Sequence, residues 1–228
     1  MTAAVVFDLD GVLLDSEQVW NEAKEQLVRE RGGSWREQAP HDMMGMSSPE
    51  WSAYLRDELG VELEPAAISD AVVARLEQIY RERLPLIDGA IEAVERLAER
   101  WPLGLASSSN REIIDLFLQL SGLAGLFAVT LSSEEVARGK PNPDVYLEAA
   151  RRLEVAPEAC VAVEDSTNGI RAARAAAMAV IALPNPHYPP DAEELSVADV
   201  EIGSLNELTP ELVEHAQARK SQLRGPRR

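Results

Sequence analysis

Five short apolar runs punctuate the chain, at Ala4–Phe7, Leu103–Ala106, Ala128–Leu131, Cys160–Val163 and Val180–Leu183, and stretches of helical periodicity lie between most of them. Runs this short and unbroken suit strands buried on both faces. Their alternation with helices predicts an α/β fold on a parallel sheet. The helix after the second run opens at Ser109 or Asn110, both good caps, and carries Ile113, Ile114, Phe117 and Leu118 at helical spacing. Another opens at Asn142-Pro143, with proline in the first turn it favours. A third, opened by Ser166 or Thr167, runs through Ile170 and the alanines Ala172, Ala173, Ala175, Ala176 and Ala177, small enough to pack closely on a sheet.

The rhythm breaks once. Residues 8–102 separate the first two runs, far more than one crossover helix needs. From Ser16 to about Leu84 the pattern is helical, with Ala23, Leu27 and Val28 in one piece and Ile68, Ala71, Val72, Leu76 and Ile79 in another. Breaks at Gly32-Gly33, Gly45 and Gly60 divide it into several helices. Residues 15–86 are therefore read as a helical cap inserted after the first strand and closing over the sheet's crevice. Residues 1–14 and 87–228 form the core, with hinges near Leu14–Ser16 and Pro85–Gly89. Trp35 and Trp51 are expected in the cap's own core, while Trp20 is open to another role. Beyond the sheet, Pro184 to Pro190 reads as a loop, Ser204 to about Ala216 as a helix, and the basic run Arg219 to Arg228 as a frayed end.

Charge narrows the partners. Asp and Glu number 39 against 22 Lys and Arg, a net charge of −17, which argues against nucleic acid. No stretch approaches the roughly 20 apolar residues of a membrane helix, and the N-terminus reads as a strand rather than a signal segment, so a soluble, cytoplasmic protein is expected. A single cysteine, Cys160, excludes an internal disulfide and sits in an apolar run as a buried structural thiol. His41, His187 and His215 are scattered and form no triad; they read as surface or packing residues.

Candidate chemistry gathers where runs end. Val5-Val6-Phe7-Asp8-Leu9-Asp10-Gly11 places Asp8 at the carboxyl end of the first strand, where parallel sheets keep their ligand crevices, and alternation puts Asp8 and Asp10 on one face. Taken alone, Asp and Gly also suit an ordinary turn. Leu105-Ala106-Ser107-Ser108-Ser109-Asn110 offers hydroxyls and free N–H groups at a helix start, a natural anion seat in which Ser107, Ser108 and Asn110 are candidates. Lys140, between Gly139 and Pro141, is one of three lysines among 22 basic residues, a compact point charge where composition predicts arginine. Glu164 and Asp165 end the fourth run. One of them suits the first turn of the next helix. If the strands are neighbours, Asp8, Asp10 and Asp165 crowd one crevice, and such a cluster calls for a hard cation with oxygen ligands, above all Mg²⁺. The cation would orient a phosphoryl group whose outer oxygens Lys140 and Ser107 hold.

Four ordered motifs now carry a resemblance: Asp8-Leu9-Asp10-Gly11-Val12, Ser107, Lys140-Pro141, and Glu164-Asp165-Ser166 followed by Asn168-Gly169. Over nearly its whole length the chain resembles a haloacid dehalogenase superfamily phosphatase of the β-phosphoglucomutase-like subgroup. The resemblance implies a Rossmann-like three-layer sandwich with a helical cap. Asp8 would be the nucleophile that forms an aspartyl-phosphate, and Asp10 the acid that protonates the leaving oxygen and then the base that deprotonates water. Ser107 and Lys140 would bind phosphate; Asp8, Asp165 and the Asp10 carbonyl would hold Mg²⁺, with Glu164 beside them.

Departures refine this. Mutases of the subgroup carry a histidine where this chain has Trp20 and a phosphate-gripping arginine where it has Ser48, which favours hydrolysis over phosphate shuttling and keeps a mutase as the alternative. The stretch Leu14-Asp15-Ser16-Glu17 through Trp20 is similar to hexose-phosphate phosphatases, including those acting on 2-deoxyglucose 6-phosphate, and makes Trp20 a substrate-binding candidate. Asp10 argues against dehalogenation. Phosphonoacetaldehyde hydrolysis would need a Schiff-base lysine in the cap, where Lys24 stands alone and is expected to be exposed. A phospho-accepting signalling module also uses an acid cluster, Mg²⁺, a hydroxyl and a lysine on a parallel sheet, but the inserted cap and Asp10 argue against it. The expectation is a monomeric, Mg²⁺-dependent phosphatase of small phosphorylated metabolites, chiefly sugar phosphates.

Overall fold

A computed structural model describes residues 1–43, 46–185 and 189–223. Six strands, β1 (Ala4–Phe7), β2 (Leu103–Ser107), β3 (Phe127–Ser132), β4 (Cys160–Glu164), β5 (Ala179–Ala182) and β6 (Val200–Glu201), form one parallel sheet in the order β3-β2-β1-β4-β5-β6. The α/β expectation holds. The five apolar runs are its first five strands, and the two-residue β6 is too short to leave a periodic signal. Alternation along the strands splits the core by face. Val5, Phe7, Leu103, Leu105, Val161, Val163 and Ile181 point to one side, and Ala4, Val6, Ala106, Cys160, Ala162 and Val180 to the other.

Helices cover both faces. Between β1 and β2 lie α1 (Glu17–Glu30), α2 (Ala39–Asp42), α3 (Ser48–Asp57), α4 (Pro65–Glu82) and α5 (Ala90–Ala98). After β2 come α6 (Arg111–Ser121), α7 (Asp144–Arg152), α8 (Thr167–Ala175), α9 (Ala192–Val197) and α10 (Pro210–Leu223). The face of Val5 and Phe7 packs with α5, α6 and α10; that of Ala4 and Val6 packs with α7 and α8. This gives three layers. The alanines Ala172 and Ala173 of α8 are wholly buried against the sheet, as small residues at a close contact should be.

Two expected helix starts stand where cap residues lie, though the Asn110 side chain makes no cap bond. Asn110 precedes α6, and the Ser166 hydroxyl accepts from the Gly169 N–H at 3.1 Å to cap α8. Three boundaries differ from expectation. Helix α8 stops at Ala175, because Ala177 turns into the left-handed region at φ 61°. The expected 204–216 helix is a 3₁₀ turn at Leu205–Glu207 followed by α10, which starts afresh at Pro210 since proline has no N–H to extend the earlier turn. Helix α10 also reaches Leu223, so Arg219 is helical rather than frayed, with the Lys220 ammonium 2.7 Å from the Glu158 carbonyl. Residues 224–228 lie outside the described residues, as do Gly45 and His187. His41 and His215 are exposed, and Cys160 is buried, its thiol pushed up to about 11 by desolvation.

Helices α1 and α3 both pack on α4, which also touches α6. The chain enters and leaves this group through two adjacent segments. Leu14 bridges Leu86 in antiparallel sense, the Asp15 N–H donates to the Pro85 carbonyl at 2.8 Å, and Ile87 N–H to Leu13 at 3.0 Å. Trp51 is buried and Trp35 packs partly buried against the same cluster. No described helix is long and apolar enough to cross a membrane.

Candidate active site

The strand order reverses around β1, with β2 on one side and β4 on the other, so the carboxyl ends of these three strands frame the crevice where open α/β sheets bind ligands. Asp8 follows β1, Ser107 ends β2 and Glu164 ends β4, and the loop between β3 and α7 delivers Lys140 to the same place. Lys140 Nζ lies 2.9 Å from Asp8 Oδ1 and 2.6 Å from Glu164 Oε1, its side chain 2% exposed. The Lys140-Pro141 peptide is cis.

One ammonium faces three buried carboxylates. Asp8, Glu164 and Asp165 each offer an oxygen within 4.8 Å of the others'. Burial first, then the Glu164 charge, pushes Asp8 up to about 7 against the pull of Lys140. Burial, Glu164 and Asp8 hold Asp165 well above the carboxylate range. Lys140 is raised despite its burial by Asp8 and Glu164. A cluster of hard oxygen donors with surplus negative charge fits a divalent cation of the Mg²⁺ class.

The members differ in freedom. Glu164 Oε1 accepts from Lys140 at 2.6 Å and from the Tyr146 hydroxyl at 2.5 Å, and Oε2 from the Asp165 N–H at 3.2 Å and Ser166 Oγ at 3.3 Å. Glu164, expected beside the cation, stays within the acid cluster while four protein donors hold it, Lys140 among them. The Asp10 side chain, placed among the expected ligands, faces elsewhere: Oδ1 accepts from Ser16 Oγ and from Trp20 Nε1 at 3.1 Å, and Oδ2 from Ser109 Oγ at 2.5 Å and Ser107 Oγ at 3.4 Å. Its carboxylate stands apart from the acid cluster but in the same pocket.

Two glycines explain motif positions. A Cβ on Gly11, at φ 77°, would sit 1.8 Å from Asp165 Oδ2, and one on Gly169 would sit 1.9 Å from Glu164 Oε2. Only glycine lets these backbones approach the acids so closely.

Ser107 and Ser108 line the pocket, and the Ser108 hydroxyl is buried with no hydrogen-bond partner. Such a group awaits a ligand acceptor. Asn110 is not brought there. It accepts from Ser48 Oγ at 2.7 Å and donates to Ser69 Oγ at 3.1 Å and Glu134 Oε1 at 3.0 Å, in a separate groove where its amide ties α3 and α4 to the loop after β3.

Helix α1 supplies the opposite wall through Glu17, Trp20, Asn21 and Lys24, joined by Trp51 of α3. Lys24, expected on the surface, is 7% exposed. Its Nζ sits 5.2 Å from the Trp20 ring centroid and 5.1 Å from that of Trp51, the two rings being 5.9 Å apart. Burial lowers it to about 8 against the opposing pull of Asp10 and Glu17. Glu17 is raised to about 7, first by burial and then by Asp10. The sequence signals missed were the rarity of lysine in this chain and its i+4 spacing from Trp20. For Tyr146 the signal was a lone phenol on an apolar helix face.

Residues 2–177 match the model of haloacid dehalogenase-like hydrolases. The chain is 35% identical over 219 residues to Hexitol phosphatase B of Escherichia coli (strain K12), covering 90% of this chain and 94% of that protein. It is 33% identical over 175 residues to the Phosphorylated carbohydrates phosphatase of Thermotoga maritima, covering 76% and 81%. Among solved structures it superposes on CbbY from Rhodobacter sphaeroides in complex with phosphate with a TM-score of 0.84, at 28% identity over 94% of this chain and 100% of the other.

Proposed function

The chain belongs to the haloacid dehalogenase-like hydrolases, and on that premise we propose that it is a cytoplasmic, monomeric, Mg²⁺-dependent phosphatase of small phosphorylated sugars and polyols. One observation carries the reading: a buried Asp8–Lys140 pair at the carboxyl end of the central strand, with a second acid, Asp10, two residues on and held apart from it. The names of the relatives, a hexitol phosphatase and a phosphatase of phosphorylated carbohydrates, support the substrate class.

Asp8 attacks phosphorus and forms the aspartyl-phosphate while the ester oxygen leaves with a proton from Asp10. Asp10 then takes a proton from water, whose oxygen displaces Asp8 from phosphorus, and the acid is regenerated. Lys140 and the hydroxyls of Ser107 and Ser108 hold the outer phosphoryl oxygens. Asp8, Asp165 and the Asp10 carbonyl would hold Mg²⁺, which screens the negative charge of nucleophile and phosphoryl group from one another. Residues 15–86 act as the cap: Trp20 donates to Asp10 from the cap side, so the acid is held by both lobes when they meet. Against a mutase, Ser48 spends its hydroxyl on Asn110 outside the pocket, and Trp20 occupies the position where mutases carry histidine.

The test is Asp8→Asn, assayed on p-nitrophenyl phosphate with Mg²⁺. Turnover is expected to fall roughly 10⁴-fold or more with the melting temperature kept. Substantial remaining turnover would remove Asp8 as nucleophile. Stable labelling of the unaltered protein by acetyl phosphate, without turnover, would point to a signalling module.

A further inference from the structure

A charged group in a protein interior ordinarily has a partner, and Lys24 has none of the usual kind. Among the described residues its ammonium makes no hydrogen bond and no ion pair within 4.0 Å, and rests on the faces of Trp20 and Trp51 while the Asp10 and Glu17 carboxylates act on it from farther off. Yet it lines the catalytic pocket. The atoms that would satisfy it are therefore those of a ligand.

What ligand follows from its neighbours. Glu17, Asn21 and Lys24 recur at i, i+4 and i+7, so they form one row along α1, about 10 Å from end to end at the helical rise. Acceptor, amide and donor stand in sequence along that row, opposite the phosphoryl-binding serines and beside two indole faces. Asn185 Nδ2 donates to Glu17 Oε2 at 3.3 Å and fixes the acceptor end. A hydroxyl both donates and accepts, so a run of neighbouring hydroxyls can give to Glu17 and receive from Lys24, while C–H groups between them lie on the indoles. A second anion is poorly served. Lys24 is the wall's one cation, Glu17 and Asp10 already oppose it, and Lys140 is committed to Asp8 and Glu164.

We infer that Lys24, with Glu17 and Asn21, is the specificity row of this pocket, reading vicinal hydroxyls of a neutral polyol or sugar on the leaving-group side and selecting against substrates with a second anionic group. The lowered basicity of Lys24 agrees with an ammonium that awaits acceptors. The inference rests on the phosphatase reading above, and adds which residues choose the substrate and on what chemistry.

The experiment compares the full-length enzyme with Lys24→Met and Lys24→Gln on four esters: sorbitol 6-phosphate, 6-phosphogluconate, fructose 1,6-bisphosphate and p-nitrophenyl phosphate. The unaltered enzyme is expected to prefer the neutral polyol ester. Lys24→Met should cost about tenfold or more in kcat/KM on it, the scale of a charged hydrogen bond, mainly through KM. Lys24→Gln, an uncharged donor, should keep most of that activity, and in both variants the loss on p-nitrophenyl phosphate, which has no vicinal hydroxyls to read, should be smaller than the loss on sorbitol 6-phosphate. Preference for the acid or the bisphosphate, lost in Lys24→Met, would overturn the inference in favour of anion recognition. Equal loss on all four esters would overturn it in favour of a packing role. Hydrolysis of p-nitrophenyl phosphate without any polyol ester would refute the row while leaving the phosphatase reading intact; no turnover of any ester would refute both.

Discussion

Replacing Lys140 with methionine keeps most of the side-chain volume and removes the charge with its hydrogen-bond donors, and its cost can be worked from the cluster. Nζ lies 2.6 Å from Glu164 and 2.9 Å from Asp8, and the Glu164 side chain is 0% exposed. Without the ammonium these carboxylates stay buried with no compensating cation, a situation worth about 3–5 kcal/mol. For a chain of this length each kcal/mol moves Tm by about 2–4 °C, so Lys140→Met should melt about 6–20 °C lower. The assay is scanning calorimetry at neutral pH in chelator, since a bound cation would mask the loss. Adding Glu164→Gln removes the orphaned charge while leaving an oxygen for Tyr146, and should recover more than half the deficit. A fall below about 2 °C for Lys140→Met, or no recovery in the double variant, would refute the claim that this lysine holds the cluster together.

Two further outcomes follow from the same acids and their glycine. Asp8 is raised to about 7 in the folded chain, so the folded state binds a proton the unfolded chain has released; that stabilisation is complete below about pH 4 and lost as pH climbs through 7. Divalent cations bind the ionised acids, so the Tm gap between Mg²⁺ and chelator should widen from about pH 5 to 8, and a constant gap would contradict the site. Gly11→Ala meets both a left-handed backbone and Asp165 Oδ2 at 1.8 Å, whereas Gly122→Ala, at φ 76° with nothing within 4 Å of its Cβ, meets the backbone cost of about 1–2 kcal/mol alone. Both should lower Tm, but only Gly11→Ala should lose p-nitrophenyl phosphate turnover; equal activities would sink the account.

The sheet was legible because its strands are buried on both faces and read as unbroken apolar runs; β6 escaped because two residues carry no period. Helix α5 lay unassigned although Ala90, Ala93, Val94 and Leu97 keep helical spacing, since the preceding Gly89 read as a hinge. Asp8, Glu164 and Asp165 were legible as strand-end residues, because a parallel sheet converts strand order into proximity, and Lys140 as a rare lysine between Gly139 and Pro141 just before a helix. Side-chain direction was not legible. Asn110 followed the serines in sequence yet turns to Ser48 and Ser69, and Lys24 sat on a helix whose buried face depends on where the cap lands.

The antiparallel bridge of Leu14 with Leu86 means that the polypeptide departs from the sheet and comes home through a single doorway. The sheet itself stays continuous across that gap, since β1 pairs directly with β2. The excursion is also held beyond that doorway, by α4 against α6 and by Ser48 and Ser69 on Asn110, so removing it would uncover part of the shared apolar core. Entry and return share one seam, and the packing of α4 on α6 makes a second.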